Sequence, residues 1–270
     1  MKTLFEQYLQ NQATSLCEVD LRAWVQQVIL LGLWRAHFFQ HAVMEGDTCA
    51  RLFYWLSRDS QNLQFFLLKK DEMFSLQPYL VAVQQELQSV GLEGAVHLVA
   101  QEATGGTQQY LLTIATTQGI ALEIMPLSIL LSLVVCPPRF FGTDIKMLSD
   151  PIPFSVLIAQ PSDLFNATLQ ALLYDAQGRD WFDFIFYVGR QIPVNLVHLR
   201  ERLIDSGHWD RKDVLTATMV KKMLQDKIEG LDIEQAKMDV FPFITDRIWV
   251  EAWSHTFFKQ AVDKLEFVQT

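Results

Sequence analysis

The chain has 270 residues, half of them hydrophobic, so it is long enough to form one large domain or two small ones around a substantial core. Its formal net charge of −9 argues against broad, non-specific binding to DNA or RNA, although it leaves room for a local basic groove. The 3 cysteines are odd in number and widely spaced, which predicts neither a disulfide framework nor a zinc site and favours a reduced, cytoplasmic setting.

The apolar segments of the sequence argue against membrane insertion. Glu6 comes too early for the start of the chain to be a signal peptide. The longest apolar stretch, 120–135, is interrupted by Glu123 and Pro126 and is too short to cross a bilayer. We therefore expect a cytoplasmic protein with no membrane partner.

Residues 1–40 have the pattern of helix. Apolar side chains recur there at spacings of three and four residues, on one helical face formed by Leu21, Trp24, Val25, Val28 and Ile29. This face is expected to pack under a sheet.

The next stretch reads as strand, turn, helix, strand. Residues 43–45 form a short apolar strand, Gly46 the turn, Asp47 the N-cap of a helix that includes 51–56, and 63–68 the second strand. This succession resembles the layout of a nucleotidyltransferase active site. In that layout the turn at the helix N-terminus holds phosphate, and two carboxylates spaced i, i+2 on the next strand hold metal.

The middle of the chain changes from helical to alternating periodicity. An amphipathic helix is predicted over 78–90, and Gly91 ends it. Strands are then predicted at 95–100, 110–116, 120–125 and 154–159, the first two joined as a hairpin around Gly105 and Gly106.

The rest of the chain has a helical pattern. Ser162 is the expected cap of the first of these helices, and the predicted ranges are 162–173, 178–188, 195–204, 216–227, 233–240 and 253–265. The fold class that follows is α+β, with a mixed sheet domain over 1–160, which is nucleotidyltransferase-like on the resemblance of its layout, and a helical bundle over 161–270.

Three segments carry a resemblance to a known family. Glu45 to Tyr54 is similar to the pattern K-G-G-T-A-L-R-L-F-Y, and Arg58 to Phe65 is similar to R-F-S-E-D-L-D-F. The most specific segment is 163–184, whose two parts are similar to D-L-F-x-x-K-L-H-A-L-L and G-R-D-W-Y-D-F. On these motifs the sequence resembles, over nearly its whole length, the AbiEii/AbiGii family of nucleotidyltransferase-like toxins from bacterial abortive-infection (type IV toxin–antitoxin) systems.

The resemblance fails at the positions that carry the family's chemistry. The two strand aspartates of the family fall on Asn62 and Gln64, and its third carboxylate falls on Met125. The family's lysine on the first helix after the sheet falls on Thr168.

The phosphate turn is altered as well. The family's lysine before the turn falls on Glu45, and its second glycine falls on Asp47. Asp47 is expected to cap the free N–H groups, which would stabilise the helix by about 1 kcal/mol and compete with phosphate for the same donors. The positions at which the resemblance would place nucleotide contacts are Gly46, Asp47, Thr48, Arg58 and Ser60.

These replacements change what the site can bind. Amide oxygens are neutral and cannot balance a divalent cation, and a thioether does not suit Mg²⁺. Glu123, two residues before Met125, would supply one carboxylate, which is not a two-metal site. The hypothesis is a pseudoenzyme without metal, nucleotide or other cofactor. The alternative is an active toxin with a non-standard Mg²⁺ and NTP site near Glu123.

Two interpretations are open for the motif residues Arg179, Asp180 and Asp183. One is contact with nucleotide or substrate. The other is a buried ion pair and a helix cap, because Asp180 and Asp183 share a helix face, and the sequence favours it.

Cys49 also has two interpretations. A thiol just inside a helix N-terminus can have a lowered pKa and be reactive. With Asp47 beside it and no histidine partner in the pattern, a small core residue is favoured.

The expected partners are a cognate antitoxin, another protein, or RNA. The positive residues of the helical half are Arg190, Arg200, Arg202, Arg211, Lys212, Lys221 and Lys222. They predict either an RNA-binding face or ordinary solvated helices, and the acidic residues interleaved among them favour the second interpretation.

Overall fold

The computed structural model describes residues 4–11, 18–101, 106–116 and 126–269. The chain divides into two compact units, which are interleaved in sequence. The first unit takes the ranges 1–53, 61–137 and 143–158, and the second takes 54–60, 138–142 and 159–270. The division into domains 1–160 and 161–270 stays a prediction.

The elements of the described residues are as follows. The helices are α1 (Leu4–Asn11), α2 (Glu18–Arg35), α3 (Gly46–Tyr54), α4 (Gln77–Val90), α5 (Pro161–Tyr174), α6 (Gly178–Gly189), α7 (Leu196–Asp205), α8 (Ala217–Glu229), α9 (Ile233–Val240), α10 (Ile248–Glu251) and α11 (His255–Asp263). The strands are β1 (Ala42–Glu45), β2 (Asn62–Leu67), β3 (Leu92–Gln101), β4 (Thr107–Thr116), β5 (Leu127–Val134), β6 (Thr143–Leu148), β7 (Phe154–Ala159), β8 (Val194–Asn195) and β9 (Phe267–Val268).

The first unit is built on a mixed sheet. Among the described residues it has 7 strands in the order β3-β4-β5-β2-β1-β7-β6. Strand β2 is antiparallel to β1 and parallel to β5, while β4 is antiparallel to both β3 and β5. Strand β1 also pairs in parallel with β7. The predicted α+β class is therefore confirmed.

Helices α2 and α4 pack closely in this unit. The predicted apolar face of α2 is buried, and burial continues around the helix through Leu30, Leu31 and Leu33. A Cβ added to Gly32 would lie 2.8 Å from the Cα of Val83 on α4, closer than real Cβ contacts come. Gly32 therefore permits the close approach of the two helix backbones.

The second unit is a helical bundle with an aromatic core. Trp181 of α6 contacts Phe258 of α11 at a ring-centroid distance of 5.0 Å, and Trp253 contacts Phe258 at 5.1 Å. Phe165 of α5 stacks on Tyr187 of α6 at 5.0 Å. The short strands β8 and β9 pair in parallel.

Most predicted elements are confirmed within a few residues. Strand β1, the turn, α3 and β2 follow one another as expected, and β3 and β4 form the predicted hairpin pair. Gly91 ends α4 with a φ of 95°, as a C-terminal glycine does. Thr216 and Asn195 cap α8 and α7 with their side chains.

Several predicted boundaries are wrong. Helix α3 begins at Gly46, so Asp47 lies in its first turn and not at the N-cap position. Helix α5 begins at Pro161 because the fixed φ of proline suits a first helical position, so Ser162 is not its cap. The single predicted helix at 253–265 begins instead at His255, where Ser254 caps it.

Four of the described strands were not predicted: β5, β6 and the two-residue strands β8 and β9, which are too short to show alternation. Strand β5 has only two polar residues, Ser128 and Ser132, on its less buried face, which weakens its alternation, and β6 carries the charged residues Asp144 and Lys146. The predicted strand at 120–125 lies outside the described residues. No helix of the described ranges has the length and apolar character needed to cross a membrane.

Candidate functional site

The turn between β1 and α3 is closed by its own side chains. Gly46 has a φ of 80°, a left-handed conformation that glycine adopts without strain. The Asp47 carboxylate accepts a hydrogen bond from the Thr48 backbone N–H at 3.0 Å. The Thr48 side chain is buried, and its hydroxyl donates to the backbone carbonyl of Asn62 at 2.5 Å. These bonds tie the start of α3 to the start of β2.

A row of polar residues crosses four strands next to this turn. Glu45 of β1 pairs with Gln64 of β2, Gln64 with Ser132 of β5, and Ser132 with Gln109 of β4. Paired residues project from the same face of a sheet, so these four half-buried side chains lie side by side. Gln109 Nε2 donates to Ser132 Oγ at 3.5 Å. We call these four residues the polar row.

The amide of Gln64 lies directly over the turn. A Cβ built on Gly46 would be 1.9 Å from Gln64 Oε1 and 2.9 Å from its Cδ. The Gln64 carboxamide therefore fills the space that a larger residue at position 46 would need. Asn62 is half-buried and lies two residues away on the same strand, on the same face as Gln64.

The polar row does not fit a two-metal site. It offers one carboxylate, Glu45, together with two amides and one hydroxyl. Mg²⁺ in phosphoryl-transfer sites is held by carboxylates whose negative charge balances its own. Among the described residues no group of three or more His, Cys, Asp or Glu side chains could hold a metal ion. The predicted positions Glu123 and Met125 lie outside the described residues.

The sequence analysis missed the residues that β5 places beside β2. The register pairs Asn62 with Leu130 and Gln64 with Ser132. The signal was present in the alternating burial of β5, where Ser128 and Ser132 share a face with Leu130. A carboxylate at Leu130 or Ser132 would have stood next to the strand amides, and neither residue supplies one.

The thiol of Cys49 is part of the core. Burial in apolar surroundings raises the pKa of the Cys49 thiol well above its usual range, and the negative charge of Glu45 adds to the effect. This raised pKa argues against a reactive thiol, and the complete burial of Cys49 confirms the interpretation as a small core residue.

In the second unit, Arg58 and Asp183 form a buried bidentate ion pair. Arg58 Nε and Nη2 donate to the two Asp183 carboxylate oxygens, each at 2.6 Å. Arg58 also donates to the Asp59 carbonyl at 3.0 Å, and Asp59 donates its backbone N–H to the Phe243 carbonyl at 2.6 Å. Ser60 is buried as well. The nucleotide contacts of Arg58 and Ser60 stay predictions. In this structure the Arg58 guanidinium is bound to the Asp183 carboxylate.

The other motif residues at the start of α6 have local structural contacts. The Asp180 carboxylate accepts from the Gln177 backbone N–H at 2.8 Å, which completes a capping box. Arg179 donates to Gln177 Oε1 at 2.8 Å, and its guanidinium lies 4.7 Å from the ring centroid of Phe243. These contacts support the interpretation as ion pair and helix cap, with Arg58 as the partner of Asp183.

Helix α5 provides no cation at the position where the family has lysine. The Thr168 hydroxyl donates to the Leu164 carbonyl one turn earlier, at 3.4 Å. Asp163 on the same helix is fully buried. Its carboxylate contacts His198 Nδ1 at 2.7 Å and accepts from the Gly142 backbone N–H at 2.7 Å. Asp163 belongs to a sequence motif, but no local pattern in the sequence indicates these partners.

Two arginines of the helical half, together with Arg139, surround a buried carboxylate. Glu201 accepts from Arg200 at 2.7 Å, from Arg211 at 3.3 Å and from Arg139 at 3.4 Å. Arg200 and Arg211, two of the positive residues considered for an RNA-binding face, thus have an acidic partner.

The second unit also has a pocket lined by aromatic residues and one arginine. Its volume is about 420 Å³, and Tyr54, Phe186, Tyr187 and Arg190 are among its lining residues. Trp55 follows α3, is 74 % exposed and has a φ of 60°. The Arg190 guanidinium lies 4.7 Å from the Phe186 ring centroid and 5.9 Å from that of Trp55. We call Trp55, Phe186 and Arg190 the stacking surface.

The stacking surface has features of a binding site. A tryptophan in the left-handed region costs conformational energy, because glycine is the usual residue where a helix ends this way. Exposed aromatic rings beside a guanidinium can accept a planar ring and a negative group together. In the sequence Arg190 is only one of several positive residues, and nothing there indicates its aromatic neighbours.

Comparison with solved structures assigns the fold. A putative nucleotidyltransferase from Helicobacter pylori matches with a TM-score of 0.54 and 15 % identity, over 92 % of this chain and 92 % of that one. MenT4, a nucleotidyltransferase toxin from Mycobacterium tuberculosis, matches with a TM-score of 0.51 and 13 % identity, over 92 % of this chain and 94 % of that one. The chain has a nucleotidyltransferase fold.

A further Helicobacter pylori protein, JHP933, matches with a TM-score of 0.50 and 16 % identity, over 89 % of this chain and 85 % of that one. No protein-family model matches the sequence. No curated protein matches it either. The solved structures therefore confirm the predicted nucleotidyltransferase-like architecture at the level of the fold.

Proposed function

We propose that this nucleotidyltransferase-fold protein does not transfer nucleotides and acts by binding single-stranded RNA. The observation that carries the first half is the donor set of the polar row. Glu45 is its one carboxylate, and the Gln64 amide lies over the turn where the fold would receive phosphate. A site of this composition does not neutralise a triphosphate with its metal ions.

The charge of the turn supports the same conclusion. Glu45 and Asp47 flank Gly46, and Asp47 already accepts from a backbone N–H of the first helical turn. Phosphate would meet two carboxylates and one fewer free donor there. Repulsion between like charges therefore opposes binding at the position that a helix N-terminus otherwise favours.

The second half of the proposal is supported by the stacking surface. Bases of single-stranded RNA stack on aromatic rings, and a neighbouring arginine pairs with phosphate. Trp55 presents an exposed ring and Arg190 a guanidinium within 5.9 Å of its centroid. The net charge of −9 predicts that few phosphates are contacted, so the salt dependence of binding would be shallow.

The resemblance to AbiEii/AbiGii toxins and the fold shared with the MenT4 toxin support a setting in bacterial toxin–antitoxin or phage-defence systems. In that setting a cognate antitoxin would be a protein partner. The alternative function is an active nucleotidyltransferase toxin that uses Mg²⁺, an NTP and a carboxylate from Glu123.

Catalysis is tested with labelled nucleoside triphosphates, RNA and protein acceptors, and Mg²⁺ or Mn²⁺. We expect no transfer by the natural chain and no thermal shift with metal and NTP. The matched variant is Asn62→Asp/Gln64→Asp, which restores two carboxylates on one strand face and should gain a metal-dependent thermal shift. Transfer by the natural chain that Glu123→Ala abolishes would establish the alternative.

RNA binding is tested by fluorescence anisotropy with labelled single-stranded oligonucleotides. We expect Trp55→Ala to weaken binding roughly tenfold or more, because stacking of one base is worth about 1–3 kcal/mol. Trp249→Ala is the control, since Trp249 is also exposed but is not part of the stacking surface. Equal affinities for both variants, or no binding by the natural chain, would contradict the RNA proposal.

A further inference from the structure

Strand β6 ends the sheet of the first unit. Within the described ranges its only strand neighbour is β7, so its other edge has no strand beside it. The side chains of Ile145, Lys146 and Met147 are exposed. An edge with accessible backbone groups is a template for another strand unless something prevents pairing.

One face of β6 is apolar and continues into a groove. Ile145 is 72 % exposed and Met147 is 70 % exposed, and both project from the same side of the strand. The groove beside them has a volume of about 310 Å³, and Trp34, Phe39 and Leu157 line it together with Ile145. A second strand lying against this surface would reduce the apolar area that is exposed to water.

The opposite face of β6 carries one charge of each sign. Asp144 and Lys146 lie two residues apart and therefore on the same face. An isolated lysine on an edge strand usually discourages pairing. An aspartate placed next to it on the same face gives the strand the charge pattern needed to pair with a copy of itself.

We propose that β6 pairs antiparallel with β6 of a second copy of this chain, about a two-fold axis that passes between the two Ile145 residues. In this register Asp144 of each copy faces Lys146 of the other, on one side of the extended sheet. Ile145 faces Ile145, and Thr143 faces Met147, on the other side. The contact is isologous, as expected for a symmetric dimer.

Charge selects this register over its neighbours. A two-fold axis perpendicular to the sheet pairs residues of the same face, so the pairing can shift only in steps that keep the faces matched. The shift in one direction places Asp144 opposite Asp144, and the shift in the other places Lys146 opposite Lys146. Like charges directly opposite each other destabilise a strand pair, whereas opposite charges stabilise it.

The proposal is tested by sedimentation velocity from about 1 µM to about 100 µM, a range that covers micromolar dimer dissociation. We expect a reversible monomer–dimer equilibrium. Ile145→Lys places two ammonium groups at the axis and should leave the chain monomeric throughout this range. Met73→Lys is the control, because Met73 is 90 % exposed and lies outside β6.

A charge exchange tests the register independently. Asp144→Lys and Lys146→Asp each create two like-charged pairs and should each weaken dimerisation by about tenfold or more. The double variant Asp144→Lys/Lys146→Asp restores both opposite-charge pairs and should dimerise like the natural chain. Urea unfolding of each variant establishes that it is folded.

Three outcomes would overturn the proposal. The first is a natural chain that stays monomeric at the highest concentration. The second is a dimer that Ile145→Lys does not affect, since the contact would then lie elsewhere. The third is a charge exchange in which the double variant dimerises no better than the single variants.

Discussion

The turn after β1 and the start of α6 both carry residues on which the sequence resembles a toxin family, but they differ in what matches. At the turn the backbone has the predicted form: Gly46 has a left-handed φ and α3 follows directly, while the side chains of Asn62 and Gln64 carry no charge. At α6 the side chains match, and Asp180 and Asp183 have structural contacts within the second unit.

This difference separates two causes of a motif match. A positive φ and a strand register are requirements of the fold, which are met whatever chemistry follows. A buried carboxylate with a bidentate arginine is also a requirement of the fold, because removing either partner leaves a charge without compensation. Neither match is by itself evidence of catalysis.

The largest expected effect on stability comes from breaking the buried ion pair between Arg58 and Asp183. Arg58→Ala leaves the Asp183 carboxylate, 8 % exposed, without its two charged donors. We expect the free energy of unfolding to fall by about 3–5 kcal/mol, measured by urea denaturation. Replacing both partners, as Arg58→Met/Asp183→Leu, should recover a large part of this loss because neither charge of the pair is then left buried without the other.

Arg179→Ala is the matched control for this prediction. It removes an arginine of the same helical unit that lies over the Phe243 ring and pairs with no carboxylate in the bonds described above. We expect a loss of less than about 1 kcal/mol. Similar losses for Arg58→Ala and Arg179→Ala would contradict a structural role for the buried pair.

A smaller effect is expected at the turn. Gly46→Ala places a methyl group where Gln64 Oε1 lies 1.9 Å away and requires a left-handed φ from alanine. The flexible Gln64 side chain can move, so we expect the conformational cost to dominate and the loss to be about 1–2 kcal/mol. Urea denaturation of Gly46→Ala, Gln64→Ala and the double variant separates the two causes.

In the Gln64→Ala background, Gly46→Ala should lower the free energy of unfolding only by the conformational cost of a left-handed φ at alanine. A coupling energy between positions 46 and 64 would therefore measure the packing of the carboxamide over the turn. Strict additivity of the two changes would show that Gln64 does not fill this space.

How well the sequence predicts a contact in this structure depends on how far apart the two residues are along the chain. Gly46 and the strands on each side of it were predictable from an apolar run and a turn residue. The ion pair between Arg58 and Asp183 joins positions 125 residues apart, and local periodicity contains no signal for it. Ser132 was missed for the same reason, since its place beside Gln64 depends on the register of β2 and β5.

The smallest expected effect concerns the core beside the turn and is a dependence on pH. Burial, with Glu45 as a lesser cause, raises the pKa of the Cys49 thiol in the folded chain. Above about pH 8.5 the unfolded chain loses this proton while the folded chain retains it, so the free energy of unfolding falls as pH rises. This stability is fully present below the ordinary thiol pKa and is lost at higher pH.

Cys49→Ala should flatten this dependence, because alanine has no proton to lose. The measurement is urea denaturation at several values from about pH 7.5 to about pH 9.5, which covers the ordinary thiol pKa. Cys136→Ala is the control, since Cys136 is only half-buried. Iodoacetamide at the same pH should label Cys49 only after unfolding, because the neutral buried thiol is not a nucleophile. Rapid labelling of Cys49 in the folded chain would show that the turn opens the core to solvent, and the closed turn described for β1 and α3 would then be wrong.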